Sequence, residues 1–126
     1  MSAVAVSTLE VGTKLVDLCR GGQFQEAIQT LYADDVVSVE PIDTPMGREA
    51  KGLDAVKGKN KWWAENHEVH GMEIKGPYPH EDRFIVHFHL DLTPKQSGQR
   101  MQMDEVGLYA VKDGKVVREE FFYHAG

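Results

Sequence analysis

Two glutamates share their predicted strand faces with aromatic and apolar side chains. Glu119 alternates with Phe121 and Tyr123 near the C-terminus, and Glu105 alternates in the same way with Tyr109. Side chains two residues apart on a strand lie on one face, so each carboxyl group is expected to face an apolar environment. Burial disfavours the charged carboxylate and raises its pKa. Acids of this kind in a cavity are suited to general acid–base catalysis near neutral pH.

Further side chains are predicted to form the walls of the same cavity. Asn60 recurs at helical spacing with Val56 and Trp63, where an apolar residue is expected, and a buried amide needs hydrogen-bond partners. The alternatives are a bond from Asn60 to the backbone and an ordinary core position for Trp63. The residues predicted to contact a ligand are Asn60, Trp63, Phe84, Val86, Phe88, Tyr109, Phe121 and Tyr123.

A second group of residues that could carry out chemistry consists of His87, His89 and Asp91. Two histidines in alternation with a nearby carboxylate can bind zinc or iron. These residues alternate with an unbroken apolar series from Phe84 to Leu92, so they should point to the opposite, convex face of the sheet. We favour a polar dimer interface there. We place no histidine in the cavity and predict neither a metal nor an organic cofactor.

Two periodicities indicate the elements that position these residues. Apolar residues recur at helical spacing in three segments, of which the first ends at Gly21, the second is followed by Asp34 and Asp35, and the third spans 53–66. Period 2 then prevails. Strands are predicted at 36–40, 69–75, 83–92, 100–111 and 115–123. Helices followed by antiparallel strands predict an α+β fold with the helices packed on one sheet face.

Length and charge exclude several classes of protein. The 126 residues are enough for one domain with its own core, and we expect a single domain over 1–126. The net charge of −6 argues against nucleic acid and anionic membranes as partners. The lone Cys19 permits no internal disulfide, and no segment approaches the roughly 20 apolar residues that cross a bilayer. We therefore expect a cytoplasmic protein.

Several segments, in order along the chain, resemble the SnoaL-like branch of the nuclear-transport-factor-2-like superfamily. They are residues 24–41, the pair Trp62-Trp63, and the last strands around 105–109 and 113–117. The resemblance implies a cone in which about three N-terminal helices pack on a strongly curved, mostly antiparallel sheet and enclose a pocket. It also implies a homodimer through the convex face. Members include ketosteroid isomerase, polyketide cyclases and pocket proteins with no known reaction, so the fold does not fix the function.

The resemblance to ketosteroid isomerase can be followed position by position. Glu40 matches the catalytic base, and Glu105 matches the protonated acid of the oxyanion hole. The tyrosine that shares this hole falls near Leu15 or Val16 and is missing, which argues against steroid isomerisation. Asn60 matches a second pocket tyrosine, and Glu119 stands where an inward methionine is expected. The resemblance therefore implies three catalytic candidates: Glu40, Glu105 and Glu119.

Three functions remain open on the sequence. The first is a cofactor-independent isomerase, cyclase, dehydratase or hydrolase that acts on a small apolar molecule through the pocket carboxylates. The second is a non-catalytic domain that binds or senses a small molecule in the same pocket. The third is a metal-dependent activity of the convex histidines. Whether the protein is an enzyme is thus left undecided between the first two.

Overall fold

The computed structural model describes residues 3–124, with side chains from residue 8 onward. Three helices and six strands follow one another along the chain. Their bounds are α1 Ala3–Arg20, α2 Phe24–Leu31, β1 Tyr32–Val39, β2 Glu49–Lys51, α3 Leu53–Asn66, β3 His67–His80, β4 Arg83–Pro94, β5 Met101–Lys112 and β6 Lys115–Phe122.

All six strands form one curved sheet in the order β2-β1-β6-β5-β4-β3. Neighbours are antiparallel except for β1 and β6, which run parallel. The sheet is not closed, and the three helices pack on it. The predicted α+β fold, with helices on a mostly antiparallel sheet, is confirmed.

The alternation along β4 determines which face of the sheet carries the core. Its even-numbered apolar side chains are buried, whereas Ile85 between them is 40% exposed. On α1, Val11, Leu15 and Val16 are buried against this side. The core thus lies between the helices and the concave face, as period 2 predicts.

Three details of the predicted elements are wrong. Asp34 and Asp35 do not separate helix from strand, because β1 already begins at Tyr32 and the two acids lie within it. The register of β1 against β6 shifts between Tyr32 and Val37, which accommodates this polar pair. The short strand β2 was not predicted, and β3 is twice as long as its apolar pattern indicates. Of the helices that the structure describes, none is both long and apolar enough to span a membrane.

Candidate functional site

A cavity of about 1060 Å³ lies between the helices and the concave face of the sheet. All three helices, the loop after β1 and the strands β3 to β6 contribute side chains to its wall. Of the residues predicted from sequence, those that line it are Glu40, Glu105, Glu119, Asn60, Trp63, Phe88, Tyr109, Phe121 and Tyr123.

Phe84 and Val86 do not line this cavity, contrary to the prediction. Both are buried on the concave face. Helix α1 covers the sheet there: a Cβ placed on Gly12 would stand 3.2 Å from the Phe84 ring. The Phe84 ring also stacks on Tyr109, with centroids 4.9 Å apart. Phe84 therefore belongs to the packing layer between α1 and the sheet, and Val86 lies in the buried core.

Glu119 is buried at the polar end of the cavity, where β6 runs beside β1. Tyr32 donates a hydrogen bond to its Oε1, and Ser38 donates one of 2.6 Å to its Oε2. Burial raises the pKa of the Glu119 carboxyl, whereas Lys59 and the two hydroxyl donors lower it. Glu119 is therefore held in a fixed position with both oxygens occupied.

Glu40 follows the last residue of β1 and points into the cavity with only 12% of its side chain exposed. Its Oε1 accepts a hydrogen bond of 3.3 Å from the Tyr123 hydroxyl. Its Oε2 lies 3.5 Å from the Lys59 ammonium and, among the residues described, accepts no hydrogen bond. The guanidinium of Arg48 lies against Asp43 instead, at 3.3 Å.

Lys59 is the residue of this site that the sequence analysis missed. Its side chain is 12% exposed, donates a hydrogen bond to Ser38 and lies 5.2 Å from the centre of the Phe121 ring. The signal was present, because Lys59 is three residues after the buried Val56 and four before Trp63. A lysine at such a position usually reaches solvent, and here it turns into the cavity.

Glu105 reaches the cavity from β5 and makes no hydrogen bond with any residue that the structure describes. Burial raises the pKa of its carboxyl to about 8, with the charges of Glu40 and Glu119 adding to the effect and Lys59 opposing it. The raised pKa favours the neutral carboxylic acid, whose O–H group has no hydrogen-bond acceptor among the described residues.

The phenol and thiol groups of the wall stay neutral. Burial, reinforced by Glu119, raises the pKa of the Tyr32 and Tyr109 hydroxyls well above their usual value. Burial likewise raises the pKa of Tyr123, and that of the Cys19 thiol to about 12. These groups can donate hydrogen bonds but not act as anions. Leu15 of α1, near which the resemblance places the missing tyrosine, lines the cavity.

Aromatic rings from α3 and the start of β3 form one side of the wall. Trp63 stacks on His67 with ring centroids 4.5 Å apart, and Trp62 meets His67 edge-on. His67 lines the cavity, which corrects the expectation that no histidine lies there. Its Nδ1 lies 2.7 Å from the Trp63 carbonyl, so the imidazole is held against the helix end.

The histidines of the convex face contact a different carboxylate from the one predicted. Asp104 Oδ1 lies 3.0 Å from His87 Nε2 and 2.9 Å from His89 Nδ1. Asp91 is bound instead by two nitrogens of Arg100. Over the described range, no group of three or more His, Cys, Asp or Glu side chains is arranged to hold a metal ion.

Both the sequence and the fold are similar to those of known proteins. The model of the SnoaL-like domain family matches residues 6–123. A Mesorhizobium loti protein, described as a candidate SnoaL-like polyketide cyclase, is 43% identical over 90% of this chain and 97% of that one, with a TM-score of 0.86. A comparison with curated proteins found no match.

More distant structures share the fold alone. A candidate isomerase from Bacillus subtilis is 14% identical over 98% of this chain and 90% of its own, with a TM-score of 0.75. A Catenulispora acidiphila protein with a ketosteroid isomerase-like fold, in complex with trimethylamine, is 18% identical over 94% of this chain and 88% of its own, with a TM-score of 0.73.

Proposed function

The chain belongs to the SnoaL-like domain family, and on that premise we propose that it is an enzyme that moves protons on a small, largely apolar molecule. Glu40 is the base and protonated Glu105 the acid, in an isomerisation, cyclisation, dehydration or hydrolysis that needs no metal or organic cofactor. Cyclisation is supported by the description of the M. loti relative.

The observation that carries this proposal is the contrast between Glu40 and Glu105. Glu40 lies beside an ammonium group, which stabilises a carboxylate, whereas Glu105 has no partner and keeps its proton. Two carboxyl groups in one cavity, one beside an ammonium group and one without a partner, have the different environments that acid–base catalysis requires. Glu119 is bound by Tyr32 and Ser38 and serves to tune its neighbours.

The side chains around the three carboxyl groups also indicate whether the activity should depend on a metal ion. A cation placed among the three carboxyl groups would meet the like charge of Lys59, which lies 3.5 Å from Glu40. The oxygen-rich, open coordination that a hard divalent ion prefers conflicts with this ammonium and with the apolar walls. We therefore expect activity to survive dialysis against a chelator.

A generic proton-transfer substrate tests the proposal before the natural one is known. 5-Nitrobenzisoxazole loses a carbon-bound proton to a base while its N–O bond opens to a phenolate. We expect the protein to accelerate this reaction, and Glu40→Gln to lower the rate by about 100-fold or more. The rate should fall as the pH rises above about 8, because Glu105 then loses the proton that stabilises the developing phenolate.

The control for this assay is Glu10→Gln, which changes an exposed glutamate of α1. It should leave the rate unchanged, and so should exhaustive dialysis against EDTA. Equal rates for the natural protein and Glu40→Gln would contradict the proposal. If dialysis abolishes the rate, zinc restores it and His87→Ala abolishes the restored rate, the activity belongs to the convex face instead.

A binding or sensing domain is the second candidate, supported by the large aromatic wall of the cavity. The stacked Trp63 and His67, together with Phe88 and Phe121, offer flat apolar surfaces to a ligand. In that case an apolar fluorescent dye such as 1-anilinonaphthalene-8-sulfonate would bind to the natural protein and to Glu40→Gln equally well, with no turnover of 5-nitrobenzisoxazole by either.

A further inference from the structure

Lys59 is the positive charge that lies against the carboxyl groups of the cavity. Of the residues described, Arg20 is the other lysine or arginine of the wall, but its Nε and Nη2 donate to the carbonyl of Ile74 at 3.2 and 2.7 Å. Lys59 instead lies 3.5 Å from Glu40 and donates to Ser38, which in turn donates to Glu119. Its ammonium therefore lies between two of the three acids.

One buried ammonium can offset the charge of one buried carboxylate. Without it, burial and mutual repulsion would favour the neutral form of all three acids, and the cavity would contain no base at neutral pH. The contacts of Lys59 determine which of the three acids its charge offsets. Glu40 pairs directly with Lys59, Glu119 is reached through the Ser38 hydroxyl, and Glu105 has no bond to either.

We propose that Lys59 is a positioning residue that makes Glu40, rather than Glu105 or Glu119, the proton acceptor of the cavity. The Lys59 ammonium holds the Glu40 carboxylate in its charged form and, through Ser38, fixes it relative to β1 and β6. This role deepens the proposed function, because it explains how a base persists in a cavity with apolar walls.

The first test reads the charge of Glu40 directly and does not depend on any turnover. The side-chain carboxyl groups are followed by carbon-13 NMR across the pH range in the natural protein and in Lys59→Met, assigned with Glu40→Gln. Removal of an opposite charge at this distance should move the midpoint of Glu40 protonation upward by about one to three pH units. Lys59→Arg should restore the natural midpoint.

The matched control is Lys61→Met, which removes an exposed lysine from the same helix that pairs with Glu65. It should leave the Glu40 midpoint in place. An unchanged midpoint in folded Lys59→Met would overturn the role of Lys59, even if the protein turns over 5-nitrobenzisoxazole. If Lys59→Met does not fold, Lys59→Gln, which can still bind Ser38, is measured by the same criterion.

The second test uses the rate with 5-nitrobenzisoxazole and separates a charge effect from a loss of structure. In Lys59→Met, the low-pH limb of the rate profile should move upward with the Glu40 midpoint. If Lys59→Met lowers the rate by the same factor at every pH and the low-pH limb of the profile does not move, the role of Lys59 is merely structural. A shifted midpoint with no turnover in any variant would retain the role of Lys59 and contradict the proposed catalysis.

Discussion

Glu105 is a residue whose protonation should affect the stability of the whole chain. Its carboxyl has an ordinary pKa of 4.5, which the folded protein raises to about 8. The folded state therefore binds this proton more tightly than the unfolded state does. The stabilisation is fully present below about pH 4.5 and is lost as the pH rises through about 8.

We predict that the thermal midpoint of the protein falls between pH 6 and 9 and that Glu105→Gln reduces this fall. The neutral amide removes the titration, so the difference in unfolding free energy between the two proteins should change by on the order of 3 kcal/mol across this range. Calorimetry at a series of pH values measures it. Glu10→Gln serves as the control, and parallel curves for the natural protein and Glu105→Gln would contradict the burial of an unpaired acid.

At the scale of elements, the contact between α1 and the sheet depends on a glycine. A Cβ on Gly12 would lie 2.8 Å from the Pro77 ring and 3.2 Å from the Phe84 ring. Gly58 lies inside α3 with nothing within 4 Å of such a Cβ. The two glycines therefore offer the same substitution in a closed and in an open environment.

We predict opposite effects for Gly12→Ala and Gly58→Ala. Gly12→Ala should destabilise the protein by about 1–3 kcal/mol, because α1 must move away from the sheet. Gly58→Ala should stabilise it by up to about 1 kcal/mol through helix propensity alone. Urea unfolding measures both. Equal effects of the two substitutions would show that α1 is not seated on Pro77 and Phe84 as described.

The periodicity of single elements predicted which residues face inward but not what they meet there. Period 2 correctly assigned Phe84, Val86 and Phe88 to the concave face of β4. Whether such a residue lines the cavity or lies under α1 depends on where the helix crosses the sheet, which is a tertiary property. Only Phe88 of these three lines the cavity.

The sequence-based predictions were wrong where the tertiary structure overrides the usual environment of a residue type. Lys59 shares the helical stripe of Val56 and Asn60, yet lysine is usually solvated, so the charge that opposes the three acids was not recognised. Asp34 and Asp35 similarly suggested a break, although β1 continues through them. The strand faces and the resemblance both indicated Glu105 and Glu119, whereas the resemblance alone indicated Glu40; all three line the cavity.

At the scale of the whole molecule, the convex face of the sheet carries exposed apolar side chains. Ile85 is 40% and Phe122 46% exposed, and both lie on this face. Strand pairing places Leu108 of β5 beside Ile85 and Val106 of β5 beside Phe122, so these four side chains share one face. A contiguous apolar patch of this kind is typical of an interaction surface, which supports the predicted homodimer through the convex face.

We predict a particle of twice 14.2 kDa in sedimentation velocity at micromolar concentration. Phe122→Glu should convert it to a monomer, because a carboxylate would be buried in the interface. Leu9→Glu, which changes an exposed residue of α1 on the other side of the sheet, should leave the dimer intact. A natural protein that sediments at 14.2 kDa would contradict the dimer.

The parallel pairing of β1 with β6 also sets the order in which the molecule can assemble. Ser38 and Glu119, which meet at the polar end of the cavity, are 81 residues apart in the chain. Closing so long a loop is entropically costly, and contacts of this range form late in folding. During synthesis from the N-terminus, α1, α2 and β1 leave the ribosome well before their partner strand exists. The cavity is thus the last part of the protein to be completed, and a nascent chain that stops before β6 lacks the strand that carries Glu119.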